Sequence, residues 1–297
     1  MTNILADLSA ALSAHSREAS AQVAAIRLSD ARHLTGTLWS GDLVVASEQS
    51  LPKRDAYDIV VPGGAVVSAT PAGRDPGTNV ALLRLAQGVP FKPVAAAEPV
   101  LGALALSFGA DGIGAATARL GVVHHAGPEW HSSHGGRIDR RIVLDQRLGR
   151  ADEGGPVLDA NGARLGISTF GPRRQTLVIP SATIDRVIQA LAKDGRIARG
   201  WLGVALQPVA VPDALRDSAG QPSGLMVMSV ADSGPAAGAG ILAGDIVLTV
   251  DGTSVRRFRR IASQLGPDSI GRKADLRVIR GGQVLSLQAT ITERPAA

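Results

Sequence analysis

Apolar residues fall along this chain in short runs separated by Gly, Asp, Ser and Pro. Segments 23–28, 33–39, 43–46, 59–61 and 65–69 open the series. Segments 80–85, 103–108, 116–123, 141–144, 155–158, 164–169 and 176–179 continue it. So many short β-branched runs bounded by turn residues predict a barrel or sandwich. Ahead of them Ile4, Leu5, Leu8 and Leu12 recur at helical spacing and predict a short amphipathic helix. Helical periodicity returns at 182–193, with Ile184, Val187, Ile188 and Leu191 on one face. Ser181 reads as its N-cap, Asp185 as a first-turn acid and Gly195 as its end.

That helix marks a boundary. The stretch 199–293 has the length of one small domain. Strands are expected at 202–206, 225–230, 246–250, 273–280 and 284–292, with turns at Asp251-Gly252 and Gly281-Gly282. A helical turn is expected at 235–239 and a helix at 256–265. The pattern therefore divides the chain into an N-terminal helical segment 1–20, a β domain 21–198, a second domain 199–293 and a tail 294–297.

Composition narrows the chemistry. Aromatics make up 3% of the residues, so the cores must be built from Val, Leu, Ile and Ala. The absence of cysteine excludes disulfides, thiolate metal sites and a Cys nucleophile. The net charge of +5 comes almost wholly from arginine; the lysines are Lys53, Lys92, Lys193 and Lys273. The arginines are scattered, so no nucleic-acid partner is expected. The first residues carry Asp7 but no basic start and no long apolar run, which points to a cytoplasmic chain, or a periplasmic one if a signal was removed. No apolar stretch of about 18 residues is present to span a membrane.

Four stretches in order carry a family resemblance. They are Asp75-Pro-Gly-Thr-Asn-Val-Ala-Leu-Leu-Arg-Leu85, Gly154-Gly155-Pro156 with Asn161-Gly162 and Leu165-Gly166-Ile167, the junction from Ile179-Pro180-Ser181 into Arg199-Gly-Trp-Leu-Gly-Val204, and Gly240-Ile-Leu-Ala-Gly-Asp-Ile-Val247. From about residue 20 to 293 the chain resembles the HtrA family of trypsin-like serine proteases with a C-terminal PDZ domain. The resemblance implies a mainly β fold: a trypsin-like double β-barrel followed by an α+β PDZ domain.

The family's catalytic residues do not carry over. Glu153 stands where the family's Ser lies, in Ala151-Asp152-Glu153-Gly154-Gly155-Pro156. Gln49 stands for the His in Ala46-Ser47-Glu48-Gln49, and Asn79 stands for the Asp. The triad mechanism needs an oxygen nucleophile, a base titrating near neutrality and a carboxylate to orient that base. Gln and Asn do not titrate, and a Glu acyl anhydride made from an amide lies uphill. The expectation is a non-catalytic degenerate member, a pseudoprotease acting as scaffold or regulator. The alternative is an active serine endopeptidase of protein quality control that uses displaced catalytic groups. Glu153 itself is open to two readings, a carboxylate folded back into the oxyanion hole or a solvated surface side chain. Ala151, in place of Gly, also raises the question of whether the turn keeps its shape.

As implied by the PDZ resemblance, peptide C-termini or unfolded segments would be bound by Gly200, Trp201, Leu202, Gly203 and Val204. Phe258 and Ile261 would line the opposite wall of the groove. The Arg256–Arg260 run favours an acidic peptide. The family's assembly implies a homo- or hetero-trimer. His124, His125, His131 and His134, with Glu129, Ser132 and Ser133, could bind a metal or form a relocated Ser–His pair. Their spacing matches no zinc signature, so the stretch reads as a mobile surface loop, and no metal or cofactor is expected.

Overall fold

The computed structural model describes residues 3–256 and 258–295, without the side chains of Phe258 and Arg259. Its backbone falls into two compact units. One comprises Met1–Trp130 with Ile138–Ile197, and the other His131–Arg137 with Ala198–Ala297. Helix α1 (Ile4–Ser20) opens the first and is longer than its apolar positions suggest. Asn3 caps it by accepting from the amide of Ala6. The Ala- and Ser-rich turns carry the helix on to Ser20, where Ala19 is buried.

Six strands close the first barrel: β1 (Val23–Ser29), β2 (Arg32–Leu38), β3 (Leu43–Ser47), β4 (Tyr57–Val60), β5 (Val66–Asp75) and β6 (Val80–Leu85). They run in the order β1-β2-β3-β6-β5-β4 around Ile26, Leu38, Val44, Ile59 and Leu83. β7 (Leu104–Ala110) and β8 (Ala116–Gly127) begin the second barrel. β9 (Trp130–His131) and β10 (Arg137–Ile138) form a separate two-stranded ribbon. β11 (Arg141–Leu144), β12 (Pro156–Asp159), β13 (Arg164–Phe170) and β14 (Thr176–Pro180) complete the second barrel in the order β11-β14-β13-β12-β7-β8. Ile142, Leu144, Val157, Leu165 and Val178 fill it. Between the barrels Val23, Ala25 and Val60 pack against Leu106, Phe108 and Leu158. Burying these apolar faces supplies the drive that joins the two barrels.

Helix α2 (Ser181–Asp194) lays Ile184, Val187 and Leu191 on Val45, Val80, Leu82 and Ile167. Gly195 ends it in the left-handed region (φ 70°), as its sequence predicts, with its amide on the Leu191 carbonyl. The start differs from expectation. Ser181 is the first helical residue, and the N-cap position falls on Pro180 without a side-chain bond. The Ser181 hydroxyl instead donates to the Arg164 carbonyl at 2.9 Å. Asp185 serves Trp39, whose indole N–H donates to it at 2.7 Å. The Arg164 guanidinium lies 3.4 Å from the centre of the same indole. Arg164 is buried, and burial lowers its pKa to about 10 against the opposing pull of Asp185. The aromatic face and the nearby carboxylate compensate a cation that would otherwise be too costly inside.

In the second unit β15 (Gly200–Trp201) pairs with the terminal β22 (Thr292–Glu293). β16 (Val204–Ala210), β17 (Ser223–Val230), β18 (Ile246–Val250), β20 (Lys273–Arg280) and β21 (Gln283–Thr290) form one sheet in that order, with the short β19 (Thr253–Ser254) on β18. Short helices α3 (Arg216–Ala219) and α4 (Pro235–Gly238) and helix α5 (Phe258–Gln264) complete it. Asp251-Gly252 and Gly281-Gly282 take positive φ, as two-residue hairpin turns require. Leu202, Leu225, Val250, Ile261 and Leu276 form its core. α5 begins at Phe258, two residues after the expected start.

Two features yield stability tests. Replacing Trp39 with Leu removes the Arg164 stack and the Asp185 partner together, and is expected to cost about 2–4 kcal/mol in urea unfolding. In the β13–β14 hairpin Arg173 and Arg174 both have positive φ (56° and 59°), and Gln175 donates to the Pro172 carbonyl. This is a turn that favours Asn-Gly, so Arg173→Asn with Arg174→Gly is expected to raise stability by about 1–2 kcal/mol, seen as a higher denaturation midpoint.

Candidate functional site

The three positions that sequence comparison singles out meet in space. β3 ends at Ser47, so the loop after it carries Gln49 and Ser50. Arg74, from β5, holds this loop by donating to the carbonyls of Glu48 and Leu51 and pairing with the Glu48 carboxylate at 3.2 Å. Asn79 sits in the turn before β6. The buried Asp75 shapes that turn, accepting from the amides of Gly77 and Thr78 and from the Thr78 hydroxyl. Asn79 takes φ 59°, a conformation that Asn tolerates better than most side chains. Glu153 lies in the turn before β12 and is 2% exposed.

This last turn is pinned to the first barrel. The Thr35 and Thr37 hydroxyls, from β2, donate to the carbonyls of Ala151 (2.6 Å) and Gly154 (2.8 Å). Ser168 accepts from the Gly154 amide and donates its hydroxyl to the Asp152 carbonyl. Gly154 has φ 94°, and a Cβ at Gly155 would run into the Phe108 carbonyl, so glycine is required at both. Ala151 is absent from the positive-φ residues, so its replacement of Gly leaves the turn unstrained.

Every contact of the Glu153 carboxylate is with a donor. Oε1 accepts from Gln49 Nε2 (2.5 Å), Thr169 Oγ1 (2.7 Å), Ser47 Oγ (2.9 Å) and the Phe170 amide (3.2 Å). Oε2 accepts from the Ser50 hydroxyl. Asn79 completes the network. Its Oδ1 accepts from the Gln49 amide at 2.8 Å, which fixes the orientation of its carboxamide. Its Nδ2 then donates to Thr169 Oγ1 (2.7 Å) and Ser47 Oγ (3.0 Å). Each hydroxyl has one proton, which goes to Glu153, and its lone pairs receive Asn79. The network is closed: an acceptor at its centre, carboxamides outside it, and hydroxyls relaying between them.

The remaining sequence-predicted residues lie elsewhere. In the second unit Gly200 and Trp201 form β15, Leu202 is buried in the core, and Gly203 turns with φ 77° into Val204, the first residue of β16. Among the described residues β16 pairs with β17 alone, which leaves its other edge without a strand partner there. Ile261, on α5, is 2% exposed and belongs to the core. The Phe258 side chain lies outside the described residues. Of the Arg256–Arg260 run, Arg257 and the Arg259 side chain lie outside them as well, and Arg256 and Arg260 are exposed. His124 and His125 stand exposed on β8 rather than in a loop. Among the described residues no group of three or more metal-ligating side chains assembles, so the His-rich stretch forms no metal cluster there.

A trypsin-like peptidase domain model matches residues 34–167, and a PDZ domain model matches 200–291. Together with the two closed barrels and the open-edged sheet, this decides the architecture. The chain is HtrA-like. A probable periplasmic DegP-like serine endoprotease of Brucella suis biovar 1 is 32% identical over 266 residues, covering 85% of this chain and 50% of the relative. A protein of the same description from Bartonella henselae is 29% identical, covering 86% and 52%. The chain thus spans about half the length of these relatives. The solved structure of the HtrA-type protease AlgW with a decapeptide superposes with a TM-score of 0.73 at 23% identity, covering 98% of this chain and 99% of that one. A serine endoprotease from Yersinia pestis gives 0.72 at 22%, covering 95% and 97%.

In this HtrA-like frame Glu153 fits neither of its two sequence readings. It is not a solvated surface side chain, and its carboxylate turns toward Gln49 and Thr169, away from the amides of its own turn. Sequence reasoning missed Ser47, Ser50 and Thr169. The available signal was small polar residues inside apolar strands, such as Ser168-Thr169 in an otherwise apolar β13. Replacing Glu153 with Gln turns one acceptor into a donor that faces other donors. It is expected to lower the unfolding free energy by about 1–3 kcal/mol, measured by chemical denaturation.

Proposed function

We propose that this HtrA-like chain is a non-catalytic peptide-binding protein that captures C-terminal or unfolded peptide segments on its PDZ unit, as scaffold or regulator. The observation that carries this reading is the closed network around Glu153. The side chains that stand in the triad frame are spent on one another: Gln49 and Asn79 carry no titrating group, and none of the three carries a hydroxyl nucleophile. The open edge of β16 supports peptide capture by strand addition. AlgW, of the same fold, has been solved with a bound decapeptide, which supports the same mode here. The relatives are described as periplasmic, which favours the periplasmic placement over the cytoplasmic one. Assembly into trimers, with copies of itself or with active relatives, accords with a regulatory role.

A second reading rests on two observations. The curated relatives are described as serine endoproteases, and the Ser50 hydroxyl donates directly to the Glu153 carboxylate. In that reading Ser50 is a displaced nucleophile and Glu153 its base.

The two separate in one experiment. An unfolded protein substrate is incubated with the native chain and with Ser50→Ala and Glu153→Ala. The scaffold reading expects no cleavage by any of the three. It also expects saturable binding of fluorescent peptides that is lost when the peptide C-terminus is amidated or when Leu206 on β16 is changed to Asp. Cleavage by the native chain that both substitutions abolish establishes the displaced-nucleophile reading and overturns the scaffold.

A further inference from the structure

Apart from the Glu153 network, a cavity of about 450 Å³ lies near the β1–β2 hairpin, large enough for a small metabolite. Arg27, Arg32, Arg54 and His33 line it together with Asp30 and Asp58. The register explains the convergence. Arg27 on β1 lies directly opposite His33 on β2 and Asp58 on β4, so these three side chains share one face of the sheet. Arg32 follows at the start of β2, and Arg54 is fixed by donating from one guanidinium nitrogen to the Leu28 carbonyl at 2.7 Å. Among the described residues Arg27 and Arg32 make no ion pair and no side-chain hydrogen bond.

His33 adds a directed group. Its Nε2 lies 2.9 Å from the Ala110 carbonyl, and a carbonyl only accepts, so Nε2 carries the proton. Nδ1 is left facing Gly112 in the cavity lining, where a Cβ would approach it to 3.5 Å. Three guanidinium groups against two carboxylates leave the lining one positive charge in excess. Uncommitted guanidinium forks suit the oxygens of a phosphate. The two aspartates cannot serve a phosphate, but they accept hydrogen bonds from hydroxyl groups.

We propose that this cavity binds a phosphate monoester carried on a hydroxylated body, such as a sugar phosphate, with Arg27, Arg32 and Arg54 on the phosphate and Asp30 and Asp58 on hydroxyls. The site is separate from the proposed peptide-binding surface and does not depend on that reading.

Isothermal titration of the full chain with inorganic phosphate, glucose 6-phosphate and glucose tests it. Glucose 6-phosphate is expected to bind at least about tenfold more tightly than phosphate, and glucose not to bind. Arg27→Ala with Arg32→Ala, at exposed positions where folding is verified by circular dichroism, is expected to weaken glucose 6-phosphate at least about tenfold. Should that pair fail to fold, Arg27→Gln with Arg32→Gln takes its place. Asp58→Asn is expected to weaken glucose 6-phosphate but not inorganic phosphate. Co-sedimentation with vesicles containing phosphatidylinositol 4-phosphate identifies a lipid headgroup as the source if it occurs, and a soluble ester if only the free sugar phosphate binds. Absence of binding by all phosphate probes, or binding unchanged in the double arginine variant, overturns the proposal.

Discussion

The site depends on how a buried turn satisfies its carbonyls. The turn carrying Glu153 is wedged between barrels, where an unpaired backbone carbonyl is costly. Thr35 and Thr37 of the first barrel and Ser168 of the second meet that need. Because the donors come from both barrels, the position of the turn registers one barrel against the other. The loop bearing Gln49, held by Arg74, and the turn bearing Asn79, shaped by Asp75, then face Glu153 at hydrogen-bonding distance. The scaffold thus brings Gln49, Asn79 and Glu153 together.

Their arrangement has an internal logic. A carboxylate without a cationic partner can be held inside if donors surround it. One carboxamide, three hydroxyls and one backbone amide do so here. Asn79 contributes what an Asp at the same place could not. It accepts from the Gln49 amide and also donates to the two hydroxyls that turn toward Glu153. The Arg164–Trp39–Asp185 cluster solves the related problem of a buried cation with an aromatic face and one carboxylate.

Much of this was legible in the sequence because it is local. Short β-branched runs, glycines at hairpin turns and the Gly195 helix end each report a backbone preference settled within a few residues. The frame around Gln49, Asn79 and Glu153 was legible because the flanking Gly, Pro and apolar residues keep their order along the chain. What escaped was long-range. Ser47 and Glu153 are 106 positions apart, and Gln49 and Thr169 are 120 apart. Ser181 looked like a helix cap because Ser before an apolar periodic run usually is one, but the Arg164 carbonyl competed for its hydroxyl and won. His124 and His125 looked like loop residues among glycines, yet pairing with β11 extended β8 through them.

The closed network around Glu153 also bears on how the site tolerates change. Gln49, Asn79 and Glu153 are linked through shared donors and hydroxyls, so altering one of them strands partners of the others. Ser at 153 alone would leave the donors of Gln49, Ser47 and Thr169 without their acceptor, and Asp at 79 alone would set a second carboxylate against hydroxyls already turned toward the first. The three positions thus form an epistatic unit, in which the effect of a substitution at one depends on the residues at the other two.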